Sequence, residues 1–319
     1  MRVDRGRLNW GVFFIVLGAV PLAYAQGLVS ASAISEAWRL WPLVIVGIGL
    51  AFVLSRTPAF FLGGTVVAVC LGLIFGSALA IGPNVGCGTD AQTHSDYARG
   101  GTFQGNATVD LDLQCGSATV TTTSDSTWSA DAQYSSTGHE PKVTSTESSL
   151  RVASYATNGW FSRGHERWQI KLPTRDQIDL TANLDMIDSH FTLASANLSS
   201  ARFDLNLGSL HVDLSGATVG SLHASVNLGS AFVILDGSSN LTGSLSTNLG
   251  SLEVCVPAGL GVQVTADDTL SSSDFTGAGL VRVGGVWRTA NYDSAAHKAN
   301  LAMETNLGSV KLRAAGGCK

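Results

Sequence analysis

The tetrapeptide Asn-Leu-Gly-Ser is written four times in this chain, at 206–209, 227–230, 248–251 and 306–309, and the first three copies follow one another at a constant step of 21. The period extends beyond the tetrapeptide. Leu184, Leu205, Val226 and Thr247 form one column at that spacing, and Met186, Leu207, Leu228 and Leu249 form another. Phe191, Val212, Val233 and Val254, then Leu193, Leu214, Leu235 and Val256, complete the pattern. Apolar columns at a fixed period mark a repeat architecture, in which each unit buries its apolar face against its neighbours.

Within a unit the alternation has period two, as in Leu205-Asn206-Leu207 and Leu210-His211-Val212-Asp213-Leu214, so each unit holds short strands with one face buried. The glycine of Leu-Gly-Ser supplies the backbone freedom of a corner. Stacked coils of a β-solenoid, with a coil period of 21, satisfy both observations. On this reading Leu207, Leu228 and Leu249 point inward. Asn206, Asn227, Asn248 and Asn306 hold one position of successive coils, about 4.8 Å apart, and stack as an amide ladder. The motif is then a corner and not an active site. The fourth copy starts at 306 and the third at 248, a step of 58 that is no multiple of 21, so 257–304 is expected to be an irregular excursion. Upstream, "LDLQCGSATV", "SLRVASY" and "RWQIKLP" read as strands of the same surface, and no helix is needed after Ile81.

The first quarter of the chain is of another kind. Residues 8–82 are almost uncharged and apolar, whereas the remainder is rich in Ser, Thr, Asn, Asp and Gly. Up to Gly82 five Arg stand against Asp4 and Glu36, a net +3; 83–319 carries 14 Lys and Arg against 22 Asp and Glu, a net −8. That acidic balance argues against a nucleic-acid partner, which needs clustered basic side chains. Three apolar stretches, near 8–24, 40–54 and 59–81, read as membrane spans, the last having the length a helix needs to cross the hydrocarbon layer without a charge. Trp10, Tyr24, Trp38 and Trp41 mark the interfaces of the first two. Arg2, Arg5, Arg7 and Arg56 place the N-terminus in the cytoplasm and everything after Ile81 outside the membrane. The division expected is a transmembrane region 1–82, a linker 83–104 and an extracytoplasmic all-β domain 105–319. Ala23-Tyr24-Ala25 also fits a signal-peptidase site, and cleavage there would leave two spans with the same orientation.

In the third span Gly64, Ala68, Gly72, Gly76 and Ala80 recur at every fourth position, a stripe that lets another helix approach closely. It suits docking to a partner membrane protein or self-association, and equally packing against the chain's own first two helices, which is the preferred use.

Two resemblances add to this. "RLNWGVFFIVLGAVPLAYAQG" followed by "AWRLWPLVIVGIGLAFVL" resembles the LiaI/LiaF-like transmembrane region, through Arg7, Trp10, Leu17-Gly18, Trp41-Pro42-Leu43 and Gly47 with Gly49. It covers the chain from its start to about Leu54 and argues against cleavage after Ala25. Some members of that family have four spans, where this chain shows three. From about 105 to 315, "WQIKLPTRDQIDLTANLDMIDSHFTL", the repeated coils and "GGVWRTANYDSAAHKANLAMETNLGSVKLR" resemble the toastrack or LiaF-type C-terminal adhesin-like domain. The resemblance implies a right-handed, single-stranded β-solenoid and a role in sensing or relaying cell-envelope state through partner membrane proteins. The alternative is a membrane-anchored surface scaffold or adhesin-like binding protein.

Signs of chemistry are few. Outward columns read Asp204/Ser225/Ser246, Asp213/Ile234/Cys255 and Asp188/Ser209/Ser230/Ser251, so acids do not stack on acids. No nucleophile elbow, HExxH, P-loop or dinucleotide fingerprint occurs, and neither an enzyme nor a cofactor is expected. His190 and His211, one period apart, could hold a metal or sense pH, although a pair of solvated surface histidines is preferred. Cys70 lies in a span. By alternation Cys115 faces the core and Cys255 faces out, so these two are not expected to pair, and Cys87 with Cys318, which bracket the domain, is the disulfide to test. A lipoprotein reading of "NVGCG" is poor, because Asn84 replaces the expected apolar residue. Trp160, Phe161 and Arg163, within "YATNGWFSRGHERW", have the composition of a partner contact or of a partly buried hairpin tip.

Overall fold

The apolar first quarter forms helices: α1 (Arg5–Ala25), α2 (Trp41–Val53) and α3 (Phe61–Ile81). A computed structural model of the chain describes residues 5–26, 39, 41–53, 61–81, 94–135, 140–154, 165–268 and 272–314. It divides into two units, Met1–Val85 and Gly86–Lys319. Among the described residues no helix is long and apolar enough to cross a membrane. In this unit the small-residue stripe has an occupant. A Cβ added at Gly72 would lie 2.8 Å from the Cβ of Val16, and one at Gly76 would lie 3.0 Å from the carbonyl oxygen of Leu17, so both glycines press on α1. Gly47 of α2 approaches α3 in the same way, 2.9 Å from Val67.

Among the described residues the second unit forms a single sheet of fifteen strands. Its regular part is a parallel stack: β2 (Ala107–Thr123), β7 (Gln177–Thr192), β8 (Asn197–Asp213), β9 (Thr218–Ile234), β10 (Leu241–Val256) and β15 (Lys298–Ala314). From Asp179 onward β7 pairs with β8 at the 21-residue step, after a one-residue shift beyond Ile178; β8 with β9 and β9 with β10 keep that step, and β10 continues the register into β15, with Leu249 opposite Leu307, Gly250 opposite Gly308 and Ser251 opposite Ser309. The fourth tetrapeptide therefore joins the same stack as the first three. The intervening excursion is more ordered than the period predicts. It folds as β11 (Gly261–Asp268), β12 (Ser272–Asp274), a 3-10 turn at Thr276–Ala278, and a hairpin of β13 (Leu280–Val283) and β14 (Val286–Thr289). At the other end β1 (His94–Thr102), β3 (Thr127–Ser135) and β6 (Glu166–Pro173) run antiparallel to one another beside β2, with β4 (Lys142–Thr146) and β5 (Ser149–Ala153) as a side hairpin.

The strands are longer than expected because the chain passes through the tetrapeptide without leaving the sheet. In β8 buried Ala201, Phe203 and Leu205 precede the motif, and Leu210 and Val212, with Leu214 just past the strand, follow it. Odd positions give way to even ones, so one extra residue is accommodated at the corner, as in a β-bulge, and every side chain beyond it changes face. The same slip occurs in β9, from Leu222, Ala224 and Val226 to Ala231, Val233 and Leu235. Both arms of each strand thus contribute to one apolar core.

This slip corrects the expected direction of the leucine column. Leu228, Leu249 and Leu307 are 50%, 51% and 52% exposed, and Leu207 is half-buried. Strict alternation predicts them inward, but they occupy the inserted position and turn out. Cys255 is corrected in the opposite sense: it is 1% exposed.

Candidate functional site

The corner presents a surface built from four adjacent columns. Asn227 donates its side-chain N–H to the Oδ1 of Asn206, Asn248 donates to Asn227, and Asn306 donates to Asn248, each at 2.7 Å. The ladder ends on a carboxylate, where Asn206 donates to Asp185 Oδ1 at 2.8 Å. Beside it runs the leucine row, and after that the glycine row. A Cβ at Gly208, Gly229, Gly250 or Gly308 would strike backbone of the preceding coil, the carbonyl oxygen of Ile187, Gly208, Gly229 or Gly250 respectively. Gly208 and Gly229 also have φ of 132° and 143°, where side chains are strained. The glycine is thus required by close approach of stacked backbones as well as by the turn. Ser209 closes the surface, donating to Asp188 Oδ1 at 2.7 Å.

Two columns further along the coil, the rings of His190 and His211 lie 5.6 Å apart and tilted, and His211 stacks on Phe232 at 4.9 Å. Burial holds His211 below the ordinary histidine value, His190 adds to this, and Asp213 opposes it. Among the described residues no group of three His, Cys, Asp or Glu is placed to hold a metal ion, so the imidazole pair lacks a third ligand. On the other arm Arg202 pairs with Asp204 at 2.7 Å, and His223 of the next coil lies 3.6 Å from the same carboxylate. Burial lowers the His223 pKa, helped by Arg202 and opposed by Asp204.

The turns between coils are tied by Asp236. It accepts the Ser238 N–H and hydroxyl, each at 2.6 Å, and the N–H of Gly216 one coil back at 3.0 Å. Burial raises its pKa, but these hydrogen bonds outweigh it and hold the carboxyl below the usual range.

The sequence reading overlooked Glu166. This carboxylate is only 5% exposed and accepts from the Trp168 indole at 2.7 Å and the Ser154 hydroxyl at 2.5 Å. The signal was present: Glu166, Trp168, Ile170 and Leu172 alternate onto one buried face.

Of the other predicted positions, Ala68 is buried and Gly64 half-buried, while the side chain of Ala80 is outside the described residues. Trp160, Phe161 and Arg163 also lie outside the described residues, as do Cys87 and Cys318. The cysteines that are described correct the expected pairing. Cys115 and Cys255 are both disulfide-bonded, whereas Cys70 is free and buried. Four strand spacings separate β2 from β10, about 19 Å, far beyond the reach of a disulfide, so Cys115 and Cys255 are not joined to each other. A Cys87–Cys318 bond would leave neither of them a partner.

The chain is similar to known proteins in part of its sequence and in its β fold. Residues 91–236 match the N-terminal domain of toast_rack, DUF2154. Over that span the second unit is similar to a toastrack-type β domain. Among solved structures, a Clostridium sporogenes protein named for cell adhesion aligns with a TM-score of 0.52 at 14% identity, over 70% of this chain and 100% of its own. That likeness shows the fold alone. Proteins named as adhesins from Bacteroides fragilis and Parabacteroides distasonis align with TM-scores of 0.25 at 12% and 13% identity, covering 68% and 70% of this chain and 97% and 98% of theirs. No curated protein matches the chain.

Proposed function

We propose that the chain is a membrane-anchored, non-enzymatic scaffold of the bacterial cell envelope, whose helices hold it in the lipid bilayer and whose toastrack domain, on the extracytoplasmic side, offers an adhesin-like binding surface. The observation that carries the reading is the corner surface itself. Identical side chains recur there on four coils, locked by amide-to-amide hydrogen bonds. Such a surface is rigid and repetitive, which suits binding an extended partner and not turning over a substrate. Anchoring is supported by α3, whose 21 residues FLGGTVVAVCLGLIFGSALAI carry no charge, and by exposed Trp10, Phe14, Ile15, Ile45, Phe52 and Phe75 on the helices. The arginine distribution supports the orientation.

The rival use, relaying envelope state through a partner's span, draws on the resemblance of the chain up to about Leu54 and on the glycine stripe. Packing of Gly72 and Gly76 on α1 removes the second support. A photo-crosslinking residue placed in living cells at Leu249, or at Phe75 on the exposed face of α3, separates the two. The scaffold reading expects capture of an envelope component from Leu249 and lipid alone from Phe75. Capture of a distinct membrane protein from Phe75, with nothing from Leu249, would overturn it.

A further inference from the structure

The charge of the toastrack domain is unevenly placed. Residues 177–279 hold one basic residue, Arg202, against ten acids, a net −9, whereas 280–319 holds six Lys and Arg against Asp293 and Glu304, a net +4. The basic stretch includes the β13–β14 hairpin, and β13 is the last strand of the sheet. Gly284 and Gly285 form its two-residue turn with φ of 58° and 91°, both in the region that a tight hairpin of this twist demands. Five consecutive residues at the tip, Val281 to Gly285, are exposed, and Val281 and Val283 are 55% and 50% exposed.

The hairpin has two unlike faces. Arg282 is paired with Trp287, whose ring meets buried Phe275 edge-on at 5.6 Å, and Leu280 on the same face is buried, so this side is pinned to the core. The opposite face carries Val281 across from Arg288 and Val283 across from Val286. Arg288 is held over the Tyr292 ring at 4.9 Å and donates to Gln263 at 2.7 Å, and Lys298 lies over the same ring at 5.5 Å. The apolar face is therefore flanked by Arg288 and Lys298 beside a half-buried tyrosine, with exposed Arg282 at the same tip on the other face, in the net-positive stretch of a domain that is acidic as a whole.

We propose that this hairpin face is a docking surface for an anionic lipid bilayer. Two observations select that occupant. Of the three stretches of the domain, 83–176 with seven Lys and Arg against ten acids, 177–279 at −9 and 280–319 at +4, only the one that carries the exposed valines is net positive, so it is the one that complements a negative surface. The mixture of β-branched side chains, an aromatic ring and snorkelling cations is that of an element lying at the boundary of headgroups and acyl chains. The inference adds a second lipid contact to the proposed anchoring by the helices, and its test is chosen so that the two can fail separately.

The measurement is amide hydrogen exchange of the full chain reconstituted into lipid nanodiscs, one copy per disc. Amides of 280–289 are expected to exchange at least fivefold more slowly in phosphatidylglycerol discs than in phosphatidylcholine discs, and added salt should remove most of the difference. The variants Val281→Asp with Val283→Asp, and Arg282→Glu, alter only exposed side chains and should abolish the protection while leaving exchange in β8 and β9 unchanged. Equal exchange in the two lipids overturns the proposal. So does protection that appears only in discs holding two copies, which would assign the face to the acidic coils of a second chain. If the chain does not enter discs, the anchoring reading fails, and exchange with preformed phosphatidylglycerol vesicles still decides the hairpin by the same fivefold criterion.

Discussion

Replacing Gly229 by alanine tests the cause of the repeated motif. The residue has φ of 143°, and a Cβ there would strike the carbonyl oxygen of Gly208, with the Gly208 nitrogen and carbonyl carbon each 3.1 Å away. Both contacts are backbone, so no side chain can swing aside. The backbone strain of a non-glycine residue at such an angle costs about 1–3 kcal/mol. Forcing two packed strands apart costs about 1–3 kcal/mol more. The coils cannot share the shift, because Gly250 presses on Gly229 as Gly229 presses on Gly208. A loss of about 4 kcal/mol is expected, a large part of the ~5–15 kcal/mol of a typical domain. With a denaturant slope of about 2 kcal/mol/M, the urea midpoint of an 86–319 fragment followed by circular dichroism should fall by about 2 M. Leu228→Asp, at the preceding position, should lose under about 1 kcal/mol, since that side chain is half exposed. A Gly229→Ala midpoint within about 0.3 M of the parent, or an equal loss in Leu228→Asp, would refute the close-approach argument.

Burial holds His211 and His223 below the ordinary value, so the unfolded chain binds their protons first as pH falls. Stability should therefore decline below about pH 6.5 and level off beneath the folded pKa values; a urea midpoint that rises between about pH 7.5 and about pH 5.5 would contradict this. Gly72→Ile with Gly76→Ile should push α1 from α3, lowering thermal stability in detergent; unchanged stability together with lost crosslinking to another protein would return the stripe to a partner. Non-reducing peptide mapping should find Cys115 and Cys255 each joined to one of Cys87 and Cys318, and recovery of a Cys87–Cys318 peptide would contradict the bonded state of the other two.

Period and alternation made much of the fold legible. Columns such as Phe191, Val212, Val233 and Val254 are spaced by the coil, so their burial follows from counting. The leucine of the motif was misplaced because counting by two assumes an unbroken strand, and the extra residue at the corner is visible only when both arms are placed on one core. Cys255 is a different case: alternation past the corner holds, with Val254 and Val256 buried as counted, and Cys255 between them is buried at an outward position, which no period-two pattern shows. The asparagine ladder needed only the coil spacing, since amides stacked about 4.8 Å apart meet whichever way the flanking residues point. The hairpin at 280–289 carries no repeat, so its place at the sheet edge depended on β15 finding β10 across the whole excursion between them, a tertiary match that no local pattern contains.

The central claim is that the helices anchor the chain in a bilayer while the repeated corner faces the outside of the cell. A cysteine placed at Leu228, where the side chain is 50% exposed, reports this directly under non-reducing conditions, because Cys70 is buried and Cys115 and Cys255 are bonded. Intact cells treated with a membrane-impermeant maleimide should label Leu228→Cys as fully as broken cells do, with the protein recovered in the membrane fraction. Labelling that appears only after the cells are opened, or a protein that stays out of the membrane fraction, would contradict the account.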